Sequence, residues 1–220
     1  MFTGIITETG FVDQVEPVNG GSELQIACSF ASDTHIDESI SINGVCLTVI
    51  NRNENSFSVQ CVEETLRKTS FAYLAKGDEV NLERSMTLDK AIEGHIVQGH
   101  VDTTGTIKTI EESGNDRLIT VSYPAEYGPY IVGRGSITVD GISLTVARIE
   151  ESRFTVAIIP YTWDYTNLGN RSAGDTVNLE FDIFGKYIVR YMDQRFPGGQ
   201  LPGGPTTSGG PGPISDKSSA

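Results

Sequence analysis

The stretch "NGVCLTV" at residues 43–49 returns as "DGISLTV" at residues 140–146, with the thiol of Cys46 replaced by the hydroxyl of Ser143. Sliding the chain on itself by that interval, ninety-seven residues, aligns 39–83 with 136–180 without a gap. Seventeen of the forty-five aligned positions are identical, where chance at average composition gives about three. The match includes Ser39 with Ser136, Leu47 with Leu144, Thr48 with Thr145 and Phe57 with Phe154. It closes on "KGDEVNLE" (76–83) against "AGDTVNLE" (173–180). The opening "GIITETG" (4–10) resembles "GHVDTTG" (99–105) at a slightly shorter shift. Two copies are too few for a solenoid, which needs at least three units. The duplication therefore predicts two similar globular domains, about 1–90 and 98–186.

Each copy reads as β-structure. "SISINGVCLTVI" alternates and is rich in β-branched residues, with Asn-Gly in its middle. "SFSVQCV" and "RFTVAII" are strand-like, and "GSELQIACSF" and "DRLITVSYP" fill equivalent earlier places. Short strands punctuated by turn residues suggest an all-β sandwich or closed barrel. Helical periodicity is brief, as in "ETLRKTSFAYL" (64–74). Outside the repeat, "GKYIVRYMDQ" (185–194) places Tyr187, Ile188, Tyr191 and Met192 on one helical stripe. So short a helix is marginal alone, and it packs either on its own barrel or on another subunit. From Pro197 to Ala220 half the residues are Gly or Pro, a composition that reads as a flexible tail.

The totals exclude several classes. The chain has 220 residues, 38% hydrophobic and 20% charged, as expected of a soluble globular protein. No apolar run is long enough for a membrane helix, and the N-terminus reads as no signal peptide. A formal charge of −13 repels a phosphate backbone, so nucleic acid is not an expected partner. The three cysteines, Cys28, Cys46 and Cys61, show no CxxC spacing and suit neither a disulfide framework nor a zinc site. Reduced thiols in a cytoplasm are the simplest reading. His95 and His100 are five residues apart, which puts them on one face of neither a helix nor a strand, so no metal site is expected.

Polar residues recur in register: Ser39, Asn43, Cys46, Thr48 and Thr65 in one copy, Ser136, Asp140, Ser143, Thr145 and Thr162 in the other. Small hydroxyls on a β surface suit a polyol or heterocycle held by neutral hydrogen bonds. Any single Ser or Thr in a strand more often satisfies a backbone group, so the recurrence carries the argument. Two similar sites can hold two copies of one molecule, and facing sites would bring them together at high effective molarity. Cys46 reads as a buried strand cysteine or as a nucleophile, and no cation flanks it locally to lower its pKa. Ser143 lacks the G-x-S-x-G elbow of an activated serine.

Five motifs in order, "MFTGI", the "NGVCLTV" and "DGISLTV" pair, "EETLRKTS", "GHIVQGHVD" and "VNLEFDIFGKYI", resemble riboflavin synthases of the alpha type, a lumazine-binding repeat family. The likeness runs to about residue 194. It implies two tandem Greek-key β-barrels and a C-terminal helix (185–195) that assembles a homotrimer, with the tail 197–220 left over. It implies that two molecules of 6,7-dimethyl-8-ribityllumazine exchange a four-carbon unit to give riboflavin and 5-amino-6-ribitylamino-uracil. One lumazine would sit on the N-terminal barrel of one subunit and the other on the C-terminal barrel of a neighbour. No cofactor or metal is implied. Association with lumazine synthase and a cytoplasmic location are.

By position, the resemblance implies catalytic roles for Ser143, Cys46, His100, Asp182 and Ser39. It implies substrate binding by Phe2, Gly4, Thr48, Thr65, His95, Gly99, Asp140, Thr145 and Thr162. Arg134 stands where some members have lysine, and a guanidinium cannot share a proton. Trp163 and Tyr165 are bulkier than expected beside Thr162 and lie either on the outer surface or in the pocket. The runner-up is a non-catalytic lumazine- or flavin-carrying antenna protein of the same fold. A two-barrel interaction module with a tethering tail is a third reading.

Overall fold

The computed structural model describes residues 1–196, so the expected tail lies outside the described residues. Twelve strands form two closed antiparallel barrels. The first comprises β1 (Glu8–Val18), β2 (Gly21–Ala27), β3 (Ser39–Ile42), β4 (Val45–Arg52), β5 (Ser56–Val62) and β6 (Glu79–Arg84). Its order around the barrel is β1-β2-β5-β4-β3-β6, with β6 closing on β1. The second comprises β7 (Thr103–Ser113), β8 (Asp116–Ser122), β9 (Ser136–Val139), β10 (Ile142–Glu150), β11 (Arg153–Ile158) and β12 (Thr176–Phe181). Read from β7, its order is the same, and β12 closes on β7. The closed-barrel alternative is therefore the one the chain adopts.

The period of two sets the faces. In β4, Val45, Leu47 and Val49 point into the core while Thr48 points out, and Cys46 is half-buried between them. β10 repeats this with Ile142, Leu144 and Val146 inside and Thr145 outside. Each barrel fills its own core, around Ile26, Phe57 and Leu82 in one and Val121, Phe154 and Leu179 in the other. Even the irregularities recur: β1 bulges between Val12 and Gln14, β7 between Ile107 and Thr109.

Asn-Gly is the turn between β3 and β4. Asn43 (φ 45°) and Gly44 (φ 78°) both take positive φ, as do Asp140 (φ 47°) and Gly141 (φ 81°). A two-residue hairpin loop needs that geometry to match strand twist. The two turns meet back to back: a Cβ on Gly44 would lie 2.7 Å from the Gly141 nitrogen, and the converse holds. Around them runs a buried seam of reciprocal hydrogen bonds. Asn81 Nδ2 donates to the Asp140 carbonyl (3.0 Å) and Asn178 Nδ2 to the Asn43 carbonyl (2.9 Å). Asn81 Oδ1 accepts from the Asn167 amide and Asn178 Oδ1 from the Ser70 amide, both at 2.7 Å. The barrels are thus related by a local two-fold axis through the seam.

Short helices α1 (Glu63–Lys68) and α2 (Pro160–Asp164) follow β5 and β11. Helix α3 (Ile183–Arg195) is capped by the Asp182 carboxylate, which accepts from the Phe184 amide at 2.9 Å. It packs on the 3-10 turn Ala125–Tyr130 of its own barrel, and Lys186 pairs with Asp102 at 2.6 Å. Its other side leaves Phe184, Tyr187, Ile188 and Tyr191 more than half exposed.

Candidate functional site

Each barrel is split at one place. The ladder between β4 and β5 runs from Arg52 opposite Phe57 to Val49 opposite Val59 and stops there. The ladder between β10 and β11 stops at the matching pair, Val146 opposite Val156. On the far side of each split, the strand's outward amide is taken by the other barrel's leading segment. The Cys46 N–H donates to the Gly99 carbonyl at 2.8 Å, and the Ser143 N–H to the Gly4 carbonyl at 2.8 Å. Thr48 and Thr145, two residues on, present their peptides on the same side. The result is a shelf on each barrel with a main-chain edge, a thiol or hydroxyl, and a threonine. Such an edge offers a flat heterocycle both donors and acceptors.

The leading segments pair with one another. Phe2 and Val97 form an antiparallel bridge, with N–H to carbonyl distances of 2.7 and 3.0 Å. Phe2 is fully buried in this pairing. Gly4 (φ 76°) and Gly99 (φ 78°) sit in the left-handed region. A Cβ on either would fall 2.6 Å from the Cβ of Ser143 or Cys46, so close backbone approach and positive φ both require glycine. The expected binding residues Phe2, Gly4 and Gly99 therefore form the inner wall of the two shelves.

The remaining candidates divide between the barrels. Ser39 faces Thr48 across β3 and β4. It borders a cleft of about 580 Å³ that also takes in Thr7, His35, Glu38, Arg84 and Lys90. Thr65 and Thr162 are half-buried on α1 and α2, their carbonyls accepting from the Thr69 and Thr166 hydroxyls at 2.7 Å. His100 has an exposed side chain beside Gly99. Cys46 is half-buried, neither the sealed core thiol nor a fully open one.

On the second barrel, Ser143 Oγ lies 2.7 Å from His95 Nδ1. Burial pulls the His95 pKa below its ordinary value, and the Asp182 carboxylate opposes that pull. A neutral ring whose Nδ1 accepts from the Ser143 hydroxyl leaves the serine oxygen's lone pairs facing the shelf. Asp140 is elsewhere. It is fully buried in the seam, its oxygens taken by the Asn178 amide (2.8 Å), Asn167 (3.2 Å) and Arg171 (2.6 Å). Trp163 packs partly against the second core, with Arg117 over its ring at 5.7 Å, while Tyr165 is exposed and stacks on Tyr161 at 4.6 Å. Arg134 lies in a loop with φ 65°, its N–H on the Val146 carbonyl.

Two residues at the site's base escaped the sequence reading, Glu83 and Glu180. Glu83 accepts from the Thr3 amide (2.7 Å), the Thr3 hydroxyl (2.8 Å) and the Gly4 amide (2.9 Å). Glu180 accepts from the amides of Gln98 (2.8 Å), Gly99 (2.9 Å) and His100 (3.0 Å). Both are almost wholly buried, and burial pushes both carboxyls above the usual range against the pull of those donors. A signal was present: a charged residue, identical in both copies, inside an otherwise closing strand "VNLE".

The family model for the lumazine binding domain matches the chain twice, at residues 3–85 and 98–182. The riboflavin synthase of Actinobacillus pleuropneumoniae is 42% identical over 193 residues, covering 87% of this chain and 90% of that protein. That of Bacillus subtilis is 40% identical over the same length and shares. Among solved structures, LumP complexed with riboflavin superposes with a TM-score of 0.77 at 20% identity, covering 82% of this chain and 99% of that one. At that identity the likeness speaks for the fold.

Proposed function

The chain belongs to the lumazine binding domain family and, within it, to the riboflavin synthases, and from that premise we propose that it converts two molecules of 6,7-dimethyl-8-ribityllumazine into one riboflavin and one 5-amino-6-ribitylamino-uracil. The observation that carries the reading is the duplicated shelf: the same split ladder, edged by Cys46 and Thr48 on one barrel and Ser143 and Thr145 on the other. One molecule reacting with its own kind needs two similar sites that hold it differently, and a thiol in one against a hydroxyl in the other is such a difference.

The two lumazines contain all the atoms of the two products, so the exchange needs no outside oxidant. One lumazine loses a proton from its C7 methyl, and the charge spreads into the ring carbonyls. Main-chain donors along the split stabilise that charge. Cys46 and Ser143 stand where a nucleophile could assist addition to a ring carbon. His100, exposed beside Gly99, moves protons. Thr48, Thr65, Thr145 and Thr162 hold the ribityl and ring edges, and Asp182 acts through His95. Ser39 borders the cleft beside Thr48. Asp140, sealed in the seam, serves by fixing the second shelf's turn and not by touching substrate.

The apolar stripe on α3 suits a homotrimer in which the first shelf of one subunit faces the second shelf of the next. No helix among the described residues is long and apolar enough to cross a membrane, which suits a cytoplasmic enzyme, alone or beside lumazine synthase. The test mixes purified protein and 6,7-dimethyl-8-ribityllumazine with excess EDTA and follows riboflavin absorbance. One riboflavin per two lumazines consumed is the expected result. Tight binding without turnover would favour the pigment-carrying antenna reading.

A further inference from the structure

We infer that Glu83 and Glu180 are positioning residues that act across the seam, each barrel's buried carboxylate shaping the substrate shelf of the other barrel. The inference rests on the riboflavin synthase reading for its consequence in turnover, and on geometry alone for its structural claim.

Glu180 stands on β12 of the second barrel and gathers the amides of Gln98, Gly99 and His100. The Gly99 carbonyl, on the far side of the same turn, accepts from Cys46 in the first barrel. Glu83 stands on β6 of the first barrel and gathers Thr3 and Gly4. The Gly4 carbonyl accepts from Ser143 in the second barrel. Each turn is thus clamped by its own barrel and inserted at the split of the other. The clamp fixes where the carbonyl points, because consecutive amides converging on one carboxylate leave the turn little rotational freedom. It also sets the approach of Gly99 to Cys46, and of Gly4 to Ser143, both already at the closest packing a glycine permits.

Burying a carboxylate with no ion-pair partner among the described residues costs desolvation, which the converging N–H donors must offset. As a clamp it has a use no neutral side chain matches, because both oxygens accept and neither must donate. Glutamine in its place keeps the shape but turns one acceptor into a donor, aimed at a backbone N–H.

The two arms can be read separately because their reporters sit on different barrels. Cys46 and Cys28 are both half-buried and Cys61 is buried; burial pushes the Cys28 and Cys61 thiols up to about 12, and a Cys28→Ser background leaves Cys46 as the reporter. With Glu180→Gln, the reaction of Cys46 with an aromatic disulfide should quicken roughly tenfold, the scale of losing a charge-assisted hydrogen bond. Glu83→Gln should leave it unchanged. In a Cys46→Ala, Ser143→Cys background the dependence should reverse, the introduced thiol responding to Glu83→Gln and not to Glu180→Gln. In the otherwise unaltered enzyme, either glutamine should lower kcat/KM by about a hundredfold, the effect of misplacing a reacting group by an ångström. Glu83→Asp and Glu180→Asp, which keep both acceptors, should recover part of it and stand in wherever a glutamine variant does not fold. Thiols responding to the carboxylate of their own barrel, to both alike, or to neither would overturn the inference. Failure of the wild-type protein to make riboflavin would sink the functional reading and leave the thiol pattern as a separate result.

Discussion

His95 touches Ser143 through Nδ1, and its burial decides what that contact can be. A histidine whose folded pKa is depressed favours the neutral ring in the folded state. Its contribution to stability is therefore present above the ordinary value of 6.5 and is lost as pH falls through the lowered folded value. Between about pH 8 and about pH 5 the urea midpoint of the wild-type protein should fall further than that of His95→Gln, which has no such proton to take up. Equal falls would mean that the ring titrates as it does in water. The pairing of His95 with Ser143 was invisible in the sequence: forty-eight residues separate the two, and the histidine has no counterpart in the first copy to mark it. Cys46 and Ser143 were legible because the repeat sets them in register. Gly4 and Gly99 were named as binding residues, yet their crowding against Ser143 and Cys46 shows only when the two barrels meet.

Helix α3 presents one face to its own barrel and the other to nothing among the described residues. Phe184, Tyr187, Ile188 and Tyr191 recur at three and four residues, so their exposed rings and branches form one stripe. An exposed apolar stripe of that kind marks an interface. Replacing Tyr187 and Ile188 together by lysine should convert the protein to a monomer on sedimentation while each barrel keeps its strands, and riboflavin formation should fall by an order of magnitude or more. Full activity from the monomer would remove the case for a site shared between subunits. The sequence showed the stripe through Tyr187, Ile188, Tyr191 and Met192, but began the helix at Gly185, later than its actual start after the Asp182 cap. Asp182, to which the resemblance gives a catalytic role, is also the cap of α3. β-Branched residues on both sides of Asn43 and Gly44 read as β-structure with Asn-Gly in its middle, and the structure makes that dipeptide the turn, with positive φ at both residues.

At the scale of the molecule, the two barrels have separate apolar cores but share a polar seam. Asn81 lies at its centre, with its amide side chain bonded to Asp140 and to both the side chain and backbone of Asn167. Asn81→Ala leaves those buried partners unpaired and should cost about 3 kcal/mol. Trp163, the only tryptophan, belongs to the other barrel. If the seam couples the halves, its fluorescence transition in urea should shift to lower denaturant in Asn81→Ala, coincident with the loss of circular dichroism. A Trp163 transition that stays in place would show two independent barrels. The duplication in the sequence was enough to foresee two like barrels. It could not foresee that they exchange segments, because the crossing contacts belong to Gly4 and Gly99, which lie outside the gap-free stretch of the repeat.

A barrel ordinarily has no loose margin, and that is one reason the architecture stays soluble. Here each barrel is unzipped for part of its length, between β4 and β5 and between β10 and β11. A bared strand margin accepts any extended polypeptide as readily as it accepts a heterocycle. The inserted turns at Gly4 and Gly99 cover part of each opening, and a bound ligand would cover more. Occupancy then protects against clumping as well as enabling turnover, and the empty protein is the form most exposed to pairing with its neighbours.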